Sequence, residues 1–197
     1  MNLPNKLTIL RILMIPLFLF FFFYDGIPYN YTLTLITFAA AALTDLIDGK
    51  IARSRGLITD FGKLMDPLAD KLLTTAAFCC LFANILSIPV IISLILILSR
   101  EFLVTSVRLV AAGKGEVLAA DIWGKIKTVM QMLWICLELL GYALFSEFGY
   151  YLYDYLPDWL EIAYRDVMYA LLYAVVAVTV LSGAHYMIKN RHLFNDM

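Results

Sequence analysis

Six apolar stretches, each near the length needed to cross a lipid bilayer as a helix, constrain the fold of this chain most strongly. A bilayer core about 30 Å thick requires about 20 apolar helical residues. Of the 197 residues, 62% are hydrophobic, more than is expected of a soluble domain. No room remains for a separate soluble domain, so we predict one all-α integral membrane domain over residues 1–197 with six transmembrane helices. These run over roughly 7–24, 31–50, 67–85, 88–111, 122–145 and 167–187.

The Lys and Arg residues are distributed unevenly between the predicted loops. With six spans and both termini inside, nearly all of them lie in or towards cytoplasmic segments, whereas the outer loops are acidic and carry only Arg165. This distribution follows the positive-inside rule. We therefore predict a multi-pass protein of the cell membrane with both termini in the cytoplasm. We expect the first stretch to be retained as a helix, because Arg11 interrupts it early and no small-residue cleavage site follows.

Two other features of the chain are predicted to be structural. Cys79, Cys80 and Cys136 lie inside apolar stretches, at spacings that suggest neither a disulfide framework nor a zinc site, so we expect them to pack. Segment 146–166 is rich in Tyr and acidic residues. It is either an amphipathic element on the outer surface, where Tyr and Trp favour the interface, or a long aromatic loop.

Four aspartates flank the inner loop between the second and third spans. Asp45 and Asp48 are spaced i, i+3, and Asp66 and Asp70 are spaced i, i+4, so each pair lies on one face of its helix. Antiparallel neighbouring helices joined by a short loop can bring the two faces together. Ionised acids near a bilayer cost several kcal/mol each unless they are paired. Hard oxygen ligands suit Mg²⁺, Mn²⁺ or Ca²⁺, and two such ions held close together typically serve phosphoryl transfer.

The residues between the aspartates favour a phosphate ligand beside the metals. Gly49 lets a phosphate approach the backbone closely, Ala52 is also small, and Arg53 can bind a phosphate through both arms of its guanidinium. The alternative is that the acids are merely solvated at the ends of their helices. A divalent-cation transporter would also explain four acids in a bundle, but it explains neither Gly49 nor Arg53.

The whole pattern, D-x2-D-G-x2-A-R-x8-G-x3-D-x3-D, resembles the signature of the CDP-alcohol phosphotransferase family. The fixed positions are Asp45, Asp48, Gly49, Ala52, Arg53, Gly62, Asp66 and Asp70. The family moves a phosphatidyl or related group from a CDP-linked donor to an alcohol and releases CMP. The resemblance also implies six helices, with the signature across the second and third, and usually a homodimer.

The resemblance implies roles for individual residues. Asp45 and Asp66 would bridge two divalent cations, Mg²⁺ or Mn²⁺, while Asp48 would hold the first and Asp70 the second. Asp70 would also act as the catalytic base on the acceptor hydroxyl. The residues expected to bind the CDP donor are Asn5, Thr8, Gly49, Ala52, Arg53, Thr59 and Gly62.

A second group of charged residues follows on the fourth and fifth spans. Arg100 lies about 16 Å along its helix from Pro89 and should face the bundle interior or a water-filled cavity. Glu101, Thr105 and Arg108 share one helix face. With Lys125 and Lys127, Arg108 could form a basic pocket for an acceptor that carries its own phosphate; the two lysines could equally belong to the ordinary positive-inside belt.

The stretches Arg-Glu-Phe-x-Val-Thr-x-x-Arg at 100–108 and Gly-Lys-x-Lys-Thr at 124–128 resemble the phosphatidylglycerophosphate synthase branch of the family. This resemblance implies CDP-diacylglycerol and glycerol 3-phosphate as substrates. The residues expected to bind the acceptor are Arg108, Lys125, Lys127, Arg100, Glu101 and Thr105. Serine, inositol phosphate and phosphatidylglycerol remain alternative acceptors, and no nucleic-acid partner is expected.

Overall fold

The regular structure in the described residues of this computed structural model is entirely helical. The structure describes residues 3–55, 60–116, 118, 121–149 and 157–194, and for residues 3–5, 45–55, 60–64, 66, 67, 70, 158, 193 and 194 it describes the backbone alone. The long helices are α1 (Leu3–Phe23), α2 (Asn30–Arg55), α3 (Asp60–Asn84), α4 (Ile88–Gly113), α5 (Ile122–Tyr142) and α6 (Asp158–Lys189). A π-helical turn, Ala143–Glu147, continues α5, and a 3-10 turn, Arg191–Phe194, follows α6.

Four segments of the described chain are long and apolar enough to cross a membrane. They are Lys6–Phe23, Ile88–Gly113, Ile122–Glu147 and Trp159–Lys189. α2 and α3 also carry apolar stretches, Asn30–Thr44 and Lys71–Asn84. The prediction of an all-α chain with several membrane helices is thus confirmed. The count of six spans and the cytoplasmic termini stay predictions.

The chain divides into two compact units. The first unit comprises Met1–Asn84 and Ile135–Ile162, and the second comprises Ile85–Trp134 and Ala163–Met197. The first unit therefore carries the signature helices, and the second carries the basic residues of α4 and α5. That the two form a single functional domain stays a prediction.

In the first unit, α1 packs against both α2 and α3. The core between them is aromatic: Phe18 and Phe38 are fully buried, with ring centroids 6.2 Å apart, and Phe18 also stacks on Phe22. Aromatic pairs at this separation contribute beyond the apolar area that they bury. On α3, Leu73 and Phe78 are buried as well. This packing supports the two helices that carry the aspartates.

The N-terminus of α2 is capped by a residue more than a hundred positions away. The carboxylate of Glu147 accepts hydrogen bonds from the backbone N–H of Tyr31 and, at 3.1 Å, from that of Thr32, whose hydroxyl donates to it at 2.6 Å. The first N–H groups of a helix lack partners within it, and a negative charge there is favourable. Tyr31 also stacks on Tyr142, with ring centroids 5.1 Å apart. Together these contacts tie α2 to the end of α5.

In the second unit, α4 and the first part of α5 pack with α6. Trp134 Nε1 donates a hydrogen bond to the Met168 carbonyl at 3.0 Å, and Gln131 Nε2 donates to Thr179 Oγ1 at 3.3 Å. Tyr186 packs in a buried cluster with Val104, Val107 and Ala111 of α4.

The last helix begins at Asp158, well before residue 167, where the predicted span begins. Hydropathy places the boundary at the charged residues, but a helix can start among acids because Asp and Glu favour its positively polarised end. Segment 146–166 is therefore helical over 158–166. Its first two residues, 146 and 147, are the last two of the π-helical turn. Residues 150–156 lie outside the described ones, so both interpretations of the segment remain predictions.

Candidate active site

The signature aspartates lie on continuous helical backbone in the first unit. Asp45 and Asp48 belong to the last turns of α2, and Asp66 and Asp70 to the first half of α3. On helical backbone, these spacings put each pair on one face, as predicted. Their side chains lie outside the described ones, as do those of Asn5, Gly49, Ala52, Arg53 and Gly62 in the donor site, while Thr59 lies outside the described residues altogether. The roles of all these residues stay predictions.

Two polar residues of α1 are buried inside the same unit. Thr8 is almost fully buried, and Arg11, one turn further on, is 0% exposed. An arginine buried within an apolar helix is expected to face other charged groups in the bundle. Arg11 is therefore a candidate site residue that sequence reasoning missed, although its signal was visible as a lone cation inside the first apolar stretch.

The second unit brings together Arg100, Arg108 and Lys127, here called the basic cluster. The buried Lys127 ammonium forms an ion pair with the Glu101 carboxylate, whose Oε1 is 3.6 Å from Nη1 of Arg100. Arg108 lies about two helical turns further along α4 than Arg100. Lys127 and Arg100 thus flank the Glu101 carboxylate, and with Arg108 on the same helix the excess of positive charge favours an anionic ligand.

Arg108 is held by a residue that the sequence did not single out. Its Nε–H donates a hydrogen bond to Tyr186 Oη at 3.2 Å, and its Cζ lies 5.5 Å from the centre of the Tyr186 ring, within the range of a cation–π contact. Arg108 itself is exposed. The signal of Tyr186, a polar tip in the last apolar helix, could not be distinguished from that of an ordinary interfacial tyrosine.

The remaining residues predicted to bind the acceptor have different surroundings. Lys125 is exposed, and its ammonium makes no hydrogen bond or ion pair within the described part of the chain. The Thr105 hydroxyl donates to the Glu101 carbonyl at 2.7 Å, a bond within one helix turn that uses its proton locally. Lys125 is therefore available to a ligand, whereas the hydroxyl proton of Thr105 is already used.

Both histidines of the chain pair with acids between α4 and α5. His185 Nε2 lies 3.3 Å from Asp121 Oδ2, and His192 Nε2 lies 3.1 Å from Glu116 Oε1. These pairs tie the end of α6 and the following turn to the segment that joins the two helices of the basic cluster.

Comparison with known proteins points to one enzyme family. A family model described as CDP-alcohol phosphatidyltransferase matches residues 1–182. A Bacillus subtilis (strain 168) protein named CDP-diacylglycerol–glycerol-3-phosphate 3-phosphatidyltransferase is 38% identical over 200 residues, with 96% of this chain and 95% of that protein covered. Proteins of the same name from Rickettsia typhi and Haemophilus influenzae are 39% and 35% identical; the matches cover 71% and 67% of this chain and 77% and 72% of theirs.

Proposed function

The chain belongs to the CDP-alcohol phosphatidyltransferase family, and on that premise we propose that it transfers the phosphatidyl group of CDP-diacylglycerol to glycerol 3-phosphate. The products are phosphatidylglycerophosphate and CMP. The observation that carries this choice of acceptor is the basic cluster, which combines three cations with a single carboxylate. The names of the relatives support the same choice.

The four aspartates are proposed to hold two divalent cations, Mg²⁺ or Mn²⁺. Carboxylate oxygens are the ligands that these ions prefer, and each pair occupies one face of its helix. In this proposal Asp45 and Asp66 would each hold both ions, Asp48 would hold the first ion and Asp70 would hold the second. When bound, the ions neutralise charge on the pyrophosphate and on the departing CMP.

The proposed reaction is a substitution at the phosphorus that carries the diacylglycerol. The acceptor hydroxyl oxygen forms a new bond to that phosphorus, and the bond from phosphorus to the CMP oxygen breaks, so CMP leaves with the electron pair. Asp70 takes the hydroxyl proton as general base. Gly49, Ala52, Arg53, Thr59 and Gly62, with Asn5 and Thr8, are proposed to bind the CDP part of the donor.

The basic cluster is proposed to bind the phosphate of glycerol 3-phosphate, which carries up to two negative charges near neutral pH. A guanidinium can bind two phosphate oxygens at once, whereas an ammonium acts as a point charge. Arg108 and the exposed Lys125 are accessible to the ligand, while Lys127 and Glu101 form the buried base of the site. We further propose that the site faces the cytoplasm of the cell membrane, as the positive-inside distribution of Lys and Arg indicates. The family resemblance implies a homodimer, and we propose that assembly for this protein as well.

The test is CMP release by detergent-purified protein given CDP-diacylglycerol with Mg²⁺ or Mn²⁺. We expect release to require both the metal and glycerol 3-phosphate. Parallel assays contain serine, inositol phosphate or phosphatidylglycerol in its place. Release that depends on one of these would reject the acceptor and keep the reaction class, and no release with any acceptor would reject the proposal as a whole.

A further inference from the structure

We propose that Gly183 and Tyr186 of α6 are positioning residues that hold Arg100 and Arg108 in place to bind the phosphate of the acceptor. The inference rests on the proposed function for the identity of the acceptor. Its geometric basis lies entirely within the second unit. Gly183 and Tyr186 are spaced i, i+3 and therefore share one face of α6.

Gly183 leaves the space that the Arg100 side chain occupies. A Cβ atom at position 183 would lie 2.8 Å from Cγ of Arg100 and 3.7 Å from its Cβ. Real Cβ contacts essentially never come under 3.0 Å. Because Cγ is close to the backbone, Arg100 could not relieve this clash by moving only the end of its side chain. Any residue larger than glycine would therefore displace the whole side chain.

Arg100 is confined by a second glycine as well. A Cβ atom at Gly124 of α5 would lie 3.4 Å from Nη2 of Arg100, so the guanidinium passes close to that backbone. The Arg100 side chain is only 11% exposed, and its buried Nε has no hydrogen-bond partner within the described part of the chain. A buried guanidinium with an unused donor is costly unless it serves a ligand.

Tyr186 fixes the second arginine from the same helix face. Its side chain is only 3% exposed and is packed among Val104, Val107 and Ala111, so the hydroxyl has a fixed position. That hydroxyl accepts the Nε–H of Arg108, which leaves both terminal amino groups for a phosphate.

Both arginines lie on α4, and contacts outside that helix hold each side chain in place. A face of α6 supplies both anchors: space for one side chain and a hydrogen-bond acceptor for the other. Disturbing either anchor should therefore weaken binding of the phosphate-bearing acceptor, whereas binding of the CDP donor should be unaffected.

The test compares Gly183→Ala and Tyr186→Phe with matched controls. Gly113→Ala makes the same change at a helical glycine with nothing within 4 Å of the added Cβ, and Tyr173→Phe removes a hydroxyl from an exposed tyrosine of α6. We expect each test variant to raise the KM for glycerol 3-phosphate by about tenfold, which for Tyr186→Phe is the effect of losing a hydrogen bond to a charged group. The KM for CDP-diacylglycerol should not change in the test variants. In the two control variants, the KM values for both substrates should equal those of the wild type.

A binding measurement separates this inference from the proposed function. Isothermal titration of the purified protein with glycerol 3-phosphate, and separately with inorganic phosphate, requires no turnover. Weaker binding in the two test variants alone would support the inference, even if wild-type turnover proved to use another acceptor. The inference is overturned if wild-type protein binds neither ligand, if the test variants bind like wild type, or if the KM values of both substrates rise together with lost thermal stability.

Discussion

Lys125 and Lys127 are two positions apart on α5, yet their surroundings differ. Lys127 is buried and paired with Glu101, whereas Lys125 is exposed. Removing a buried partner leaves an uncompensated charge, which typically costs about 1–3 kcal/mol or more. We expect Lys127→Met to lower the thermal midpoint as well as activity, because the Glu101 carboxylate would lose this partner. Thermal unfolding in detergent measures the midpoint. An unchanged midpoint in Lys127→Met would contradict the prediction.

Lys125→Ala should act on binding alone. Because Lys125 is exposed, its loss should leave the fold intact. We expect the KM for glycerol 3-phosphate to rise more than the KM for CDP-diacylglycerol, since only the acceptor phosphate would lose a cation. Steady-state kinetics with each substrate varied in turn provide the measurement. An unchanged acceptor KM would remove Lys125 from the site.

Asp70 carries two proposed roles, as metal ligand and as general base. Asp70→Asn keeps the size of the side chain but removes the charge and the basic oxygen. We therefore expect a folded protein with CMP release near background. A variant that retains near-normal turnover would refute both roles together. Size-exclusion chromatography and thermal unfolding, carried out beside the assay, establish that the variant is folded.

The cap on α2 is an interaction between elements that are distant in sequence. Glu147 satisfies N–H groups at the start of the helix whose far end carries Asp45 and Asp48. Losing a cap costs about 0.5–2 kcal/mol. We expect Glu147→Ala to lower the thermal midpoint, whereas Glu161→Ala, which removes an exposed acid from α6, should not. Equal midpoints in the two variants would refute the capping role.

Sequence reasoning located elements better than it located contacts. The predicted span 88–111 agrees with α4, Ile88–Gly113, because Pro89 and Gly113 mark its ends and the residues between them are mostly apolar. The start of α6 was missed because acids that favour a helix N-terminus resemble a polar loop on a hydropathy scale. The Glu147 cap and the Arg108–Tyr186 bond were unpredictable, since they join positions 115 and 78 residues apart, and only folding brings them together.

In the candidate site, too, some residues could be predicted from the sequence and others could not. The aspartate signature could be recognised in the sequence because its residues are at helical spacing within two neighbouring helices. The basic cluster could be predicted in part, since two of its members, Arg100 and Arg108, lie on one helix with Glu101. The proposed positioning residues Gly183 and Tyr186 could not be predicted, because a glycine or a tyrosine in an apolar helix can have many other roles. Positioning residues of this kind are therefore recognisable only once the helices are packed.

The path of the whole chain through the membrane depends on whether α2 and α3 cross it. α2 is 26 residues long and α3 is 25, and each is long enough to cross the bilayer as a helix. The aspartates at the ends of these helices must be reachable from the cytoplasm if they are to act on a water-soluble acceptor. A full crossing meets this need, and we expect both helices to span the membrane.

Single cysteines in a background lacking Cys79, Cys80 and Cys136 can test the crossing. Ser54→Cys lies near the end of α2, and Ser87→Cys lies just before α4. With a membrane-impermeant maleimide, we expect Ser87→Cys to react in right-side-out vesicles and Ser54→Cys to react only in inside-out vesicles. Reaction of Ser54→Cys from the outside, or from neither side, would contradict six spans. CMP release by each variant serves as the control that the labelled protein is native.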